Sequence, residues 1–197
     1  MNKHLWSLGL APALALAACG GDNATESPVT NATPDDTSMM NMPADENVTG
    51  NAMDDTMASP AEKFTAAAGA SDYYEVEAGK LAQEKATSQG LKDFGKMMVA
   101  AHTESTDKLK AAAAKASPTV MVDPMLNAEQ EANLAALRDA KGADFDAKYK
   151  AQQVAAHEKA LAAMKDYAAN GDVPELKTFA GDTVKVVEAH LAKIKAM

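Results

Sequence analysis

The chain has 197 residues, with 19 Lys and Arg against 28 Asp and Glu, a formal charge of −9, one cysteine and one tryptophan. A single cysteine excludes an internal disulfide and a multi-thiolate metal centre. The acidic balance lacks the basic excess of a nucleic-acid binder.

The chain begins with Lys3 and an apolar run from Leu5 to Ala18, the plan of a secretory signal. Fourteen residues are too few to cross a bilayer core, which needs about 20. The run ends in Leu16-Ala17-Ala18-Cys19, which resembles a bacterial lipoprotein signal with Cys19 as the acylated first residue after a 1–18 signal peptide. Each buried acyl methylene contributes about 0.8 kcal/mol, so several chains together anchor a protein durably. Gly20, rather than Asp, follows the cysteine; by resemblance to such signals this favours the outer membrane, with the protein facing the periplasm. Acylation of Cys19 leaves no thiol, and loss of the signal removes Trp6.

Residues 19–59 form an expected disordered tether. From Gly20 to Ser59 there is no Lys, Arg, Phe, Tyr or Trp, and eight of the 28 acids lie there. Such a segment cannot bury enough apolar surface to offset its ordering entropy. The remaining 20 acids face 18 bases in residues 60–197, a domain near −2. Met39, Met40, Met42, Met53 and Met57 punctuate the tether, and thioethers suit Cu(I). No tight Met-x-x-Met repeat is present, so compositional drift in a spacer is the simpler reading.

Five helices are expected in the domain. Ser59-Pro60-Ala61-Glu62 is a capping box with Pro at the first helical position, opening a helix to about Thr87. A second runs from Gln89 to about Ala116, with Leu91, Phe94, Met98, His102, Ser105 and Leu109 as its inward stripe. Asn127-Ala-Glu-Gln130 caps a short third helix that fades near Ala140. Gly142 and Asp144 open a fourth, ending at Asn170-Gly171. Asp172-Val-Pro-Glu175 reads as another capping box, for a last helix reaching almost to Met197.

Tight turns make the helices of each hairpin antiparallel neighbours. Leu91-Lys-Asp-Phe94 matches Leu176-Lys-Thr-Phe179, which suggests a duplicated hairpin. The connection from Ser117 to Lys141 is long enough to cross the bundle's length, or it stays at one end; the sequence leaves both open.

One phrase recurs three times: Val99-Ala-Ala-His102, Val154-Ala-Ala-His157 and Val187-Glu-Ala-His190. Apart from His4, these are all the histidines of the chain. They fall within the apolar arcs of their helices, with His157 nearer an edge, and Glu75 borders the inward face of the first helix. Judged from helix midpoints, Glu75, His102 and His157 share one level and His190 sits about 7 Å away along the axis.

Glu75-Val-Glu77-Ala-Gly-Lys-Leu81-Ala82, Leu91-Lys-Asp-Phe94 with Met97, Met98 and His102, Phe145-Asp-Ala-Lys-Tyr149 with His157, and Leu176-Lys-Thr-Phe179 with His190 resemble domain-of-unknown-function family 4142, over about Ala61 to Lys195. The resemblance implies an all-α, ferritin-like four-helix bundle, with the short extra helix in the crossover between hairpins, in a bacterial envelope protein. It implies no activity.

Three neutral imidazoles with Glu75 suit Zn, Cu or Fe. Di-iron bundles use Glu-x-x-His on two helices, but Val99, Val154 and Val187 stand three residues before the histidines, so ferroxidase or oxygenase chemistry is not expected. No glycine-rich elbow, phosphate loop or His-Glu metalloprotease motif appears, and no catalytic residue is assigned. The leading expectation is a non-enzymatic, lipid-anchored envelope protein whose bundle serves an interaction or stress-related role, with the membrane and an envelope protein as partners and no nucleic acid. In that reading the histidines form a structural polar layer, bonded to Glu75, Ser71, Ser105, Tyr74 or one another. The alternative is a metal-binding or metal-handling bundle using His102, His157, His190 and Glu75. A compact inward cluster favours the metal; scattered imidazoles with separate partners favour the structural layer.

Overall fold

The computed structural model describes residues 58–197. The signal segment, Cys19 and the tether to residue 57 lie outside the described residues. Five helices follow: α1 (Pro60–Lys85), α2 (Gln89–Ala113), α3 (Ala128–Asp139), α4 (Gly142–Asn170) and α5 (Pro174–Lys195). Among the described residues there is no strand, and no helix is long and apolar enough to cross a membrane. The protein is an all-α helical bundle.

The caps explain most of the boundaries. Glu62 N–H donates to the Ser59 hydroxyl at 3.2 Å, and Ser59 N–H donates back to the Glu62 carboxylate at 2.7 Å. Asn127 and Gln130 make the same reciprocal pair at the start of α3, and Ser88 accepts from Leu91 N–H at the start of α2. The expected box at Asp172 does not form. The chain enters α5 one residue later, at Val173, without a side-chain cap. Asp172 instead accepts from the Tyr167 hydroxyl at 2.8 Å, tying the α4–α5 turn to the end of α4. Gly171 in that turn has φ −59°, so backbone freedom is not what it supplies. A Cβ there would lie 2.5 Å from the Tyr167 ring and 2.6 Å from its carbonyl oxygen.

The connection crosses the bundle. Phe64, near the start of α1, stacks on Tyr167, near the end of α4, at 3.9 Å between centroids. Thr87, just past the end of α1, donates from its N–H to Asp146 at the start of α4 at 2.9 Å. Helices α1 and α4 are therefore antiparallel, and α2 ends where α4 ends. The chain leaves α2 beside the start of α1, where Thr65 donates to the Met121 carbonyl at 3.0 Å. It arrives beside the end of α1, where Lys85 donates to the carbonyls of Leu137 and Arg138. Midway, Gln152 links α1 to α3, accepting from Tyr74 at 3.0 Å and donating to the Asn133 carbonyl at 3.2 Å. The order is up, down, down, up, with α3 inside the long connection.

Two apolar clusters fill the interior. One, at the α1–α2 turn, centres on Leu91, Phe94, Met98, Leu137, Phe145, Tyr149 and Ile194. The other, at the α4–α5 turn, centres on Phe64, Leu109, Met164, Tyr167, Leu176 and Phe179. Apart from Thr65 near the start of α1, the buried polar residues of the long helices fall between them: Asp72 and Glu75 on α1, His102 on α2, Gln153 and His157 on α4, His190 on α5. The bundle is a polar layer clamped between two hydrophobic ends.

Helices α1 and α2 approach closely at Gly79 and Gly95. A Cβ on Gly95 would lie 2.7 Å from the Gly79 carbonyl oxygen and 2.8 Å from the Ala82 Cβ. Neither neighbour can swing aside, so the helices would have to separate. Gly95→Ala gains about 1 kcal/mol of helix propensity, but overpacking against backbone costs about 1–3 kcal/mol. Urea unfolding is expected to show a net loss of stability; a neutral or stabilising result would mean that this contact has slack.

Candidate metal centre

The three histidines meet. Ring centroids are 5.9 Å apart for His102 and His157, 5.8 Å for His102 and His190, and 5.6 Å for His157 and His190. One potential ligand nitrogen from each lies within 4.8 Å of the others. His157, expected near an edge, is only 2% exposed.

The expected 7 Å offset of His190 is absent, because depth is set by the shared turn rather than by helix midpoints. His157 lies 13 residues before the end of α4 at Asn170, and His190 lies 16 residues after the start of α5 at Pro174. Side chains lean toward the N-terminus of their own helix. In an antiparallel pair, His157 therefore leans away from the turn and His190 toward it, closing the gap.

The outer nitrogens of His102 and His157 are held. His102 Nδ1 lies 2.8 Å from Asp72 Oδ1; a carboxylate only accepts, so Nδ1 carries the hydrogen. Thr106 donates to the other Asp72 oxygen at 3.3 Å. His157 Nδ1 donates to the Gln153 backbone carbonyl at 2.8 Å, and Glu75 Oε1 stands 3.8 Å from the same nitrogen. Gln153 Nε2 in turn donates to Glu75 Oε2 at 2.6 Å. Carboxylate and backbone carbonyl are the usual partners of the non-ligating nitrogen in metal-bound histidine, and they fix ring orientation and tautomer.

The inner nitrogens have nothing. His102 Nε2, His157 Nε2 and His190 Nδ1 are buried and without a hydrogen-bond partner. In a neutral ring with its hydrogen on Nδ1, Nε2 is a bare lone pair. A buried acceptor left unsatisfied costs about 1–3 kcal/mol, and here two such atoms, with the unpartnered His190 Nδ1, belong to one cluster. Nitrogens around a tetrahedral ion at 2.0–2.1 Å sit about 3.4 Å apart. The trio would contract by no more than about 1.4 Å to hold one.

Glu75 is buried next to the trio but is not among the atoms that converge on one point. Its place is behind His157. The carboxylate behind His102 is Asp72, which the sequence reading missed. It lies three residues before Glu75 and so shares its helix face, the signal that could have found it. Ser71 and Ser105, expected as partners, instead line a small cavity of about 30 Å³ beside His102 and His190, room for about one water. Tyr74 bonds to Gln152 and not to a histidine.

Burial disfavours the charged form of every ring in the trio. For His102 the Asp72 hydrogen bond and the charges of Glu75 and Asp72 outweigh it, and its pKa lies above the ordinary value. For His157 burial prevails, against the pull of Glu75 and with help from the charge of His102, and its pKa is lowered. His190 is pushed down to about 4 by burial and then by His102, His157 and Lys193. Protonation is thus favoured at His102 and disfavoured at His157 and His190.

A pH dependence of the metal-free protein follows. The depressed groups, His157 and His190, contribute stability that is intact above the unfolded value near 6.5 and is lost as pH falls toward 4. His102 works the other way: its contribution is full below 6.5 and is lost as pH rises through its raised folded pKa. Melting temperature is therefore expected to drop between pH 6.5 and 4, and His190→Gln to flatten that slope. An unchanged slope in the variant, followed by thermal melts in chelator, would contradict the assignment.

The family model described as Domain of unknown function (DUF4142) matches residues 46–197, so the match begins inside the segment read as a tether. No curated protein and no solved structure matches the chain. The family match covers all five helices and the three-histidine layer, and the chain belongs to the DUF4142 family.

Proposed function

We propose that this protein is a metal-binding bundle of the bacterial envelope, holding one transition-metal ion through His102, His157 and His190. The observation that carries the reading is the set of three unpartnered buried nitrogens, His102 Nε2, His157 Nε2 and His190 Nδ1. Gln153 Oε1 and the Tyr149 hydroxyl are also buried without a partner, but among the described residues it is the three histidines that bring potential ligand atoms together. A cation pairs all three at once, and neutral imidazoles suit zinc, copper or iron.

Charge supports the same reading. A divalent ion in a dry interior needs compensation, and the buried Asp72 and Glu75 stand directly behind two of the three ligands. Two carboxylates and one divalent ion leave the layer neutral. Glu75 thus keeps a role in the site, as compensating charge rather than ligand. The up-down-down-up order supports reading the bundle as ferritin-like, without the carboxylate bridges of a di-iron centre. We assign the bundle no catalytic step.

The envelope location rests on the signal pattern ending at Cys19. Cys19→Ser is expected to release the protein from membranes on fractionation, and a variant still sedimenting with membranes would overturn lipid anchoring.

Metal analysis of the full chain purified without an affinity tag is expected to find close to one ion per chain. Metal at a hundredfold excess over its dissociation constant should stabilise the fold by about 2.7 kcal/mol, and His102→Ala, His157→Ala or His190→Ala should each abolish the response. Asp72→Asn should keep the site but weaken affinity about 10–100-fold. A melting temperature indifferent to Zn²⁺, Cu²⁺, Fe²⁺ and chelators would leave the layer structural and overturn the proposal.

A further inference from the structure

Next to the histidine layer, between α1 and α4 and under α3, lies a cleft of about 250 Å³. Its walls are mostly apolar, with Phe64, Tyr74 and a row of α4 alanines that includes Ala155 and Ala163. At its edge Lys159 and Glu129 pair with each other at 2.7 Å, so the cleft presents no free charge from either. An apolar cavity with a few polar groups is the usual form of a small-molecule site.

The cleft and the small cavity beside His102 and His190 share four lining residues: Ala68, Ser71, Ala160 and Met164. These side chains form the partition between them. Three are small, and the fourth is methionine, whose unbranched thioether repacks readily. Three protein ligands on a tetrahedral ion leave its fourth position open. A cavity with room for about one water adjoins two of those ligands.

We propose that the α1–α4 cleft binds an uncharged small molecule with an apolar body and one nitrogen or oxygen donor, and that this donor passes Met164 to take the open position of the metal. The proposal rests on the metal-site reading above. The body lies among the alanines, where no charged group is needed. The donor end lies toward Ser71 and the histidine layer, where coordination replaces water.

Cobalt(II) reports its coordination through its visible spectrum, and imidazole and 4-phenylimidazole share a donor but differ by one apolar ring. With the full chain loaded with Co²⁺, both probes are expected to shift the spectrum, and 4-phenylimidazole to bind at least tenfold more tightly. Ala163→Phe and Ala155→Phe are single changes at exposed positions that line the cleft and not the histidine cavity. Each should leave Co²⁺ uptake and imidazole binding intact and bring the ratio of the two affinities close to one. Equal affinities in the parent, or a preference that survives both variants, would overturn the cleft proposal while leaving the metal site standing. Failure of the parent to take up Co²⁺ or any other ion would overturn both.

Discussion

The bundle depends on a conflict held at its centre: three histidines meet in one buried layer, and each leaves a buried nitrogen without a hydrogen-bond partner. Their outer nitrogens are committed to Asp72 and to the Gln153 carbonyl, so the rings of His102 and His157 cannot turn to find other partners. Apolar clusters lie above and below the layer. In water such an arrangement would be relieved by solvent; in a medium of low dielectric an unpaired polar group is costly, and the proposed metal ion would pair all three.

The rest of the fold holds that layer in place. The close α1–α2 approach at Gly79 and Gly95 sets the depth of Asp72 relative to His102. The α4–α5 turn, fixed by Tyr167 and Asp172, sets His157 against His190. The long connection is tied to both ends of α1, through Thr65 and Lys85, and to α4 through Gln152. The four long helices thus each place a polar group at the same level, while α3 helps to wall the neighbouring cleft.

Much of this was legible in the chain. The repeated phrase ending in His102, His157 and His190 marked three helical histidines on apolar arcs, and the caps at Ser59 and Asn127 located two helix starts. What the sequence could not supply was relative depth. Helix midpoints alone place His190 about 7 Å away, because they take no account of the opposite lean of side chains in antiparallel helices. Asp72 was overlooked for a related reason: an acid on one helix becomes a histidine's partner only once the register between α1 and α2 is known. Gln153 was invisible because its backbone carbonyl, not its side chain, holds His157. The path of the connection likewise depended on contacts such as Thr65 to Met121, which span more than fifty residues.

The central claim is that the inward nitrogens are metal ligands. Nitrogen-15 NMR of the imidazoles, recorded with chelator and with one equivalent of Zn²⁺, reads those atoms individually. The account predicts that His102 and His157 carry their hydrogen on Nδ1 in both states, and that zinc shifts His102 Nε2, His157 Nε2 and His190 Nδ1 together at one equivalent. Imidazole spectra unchanged by zinc, or a shift confined to a single ring, would contradict it.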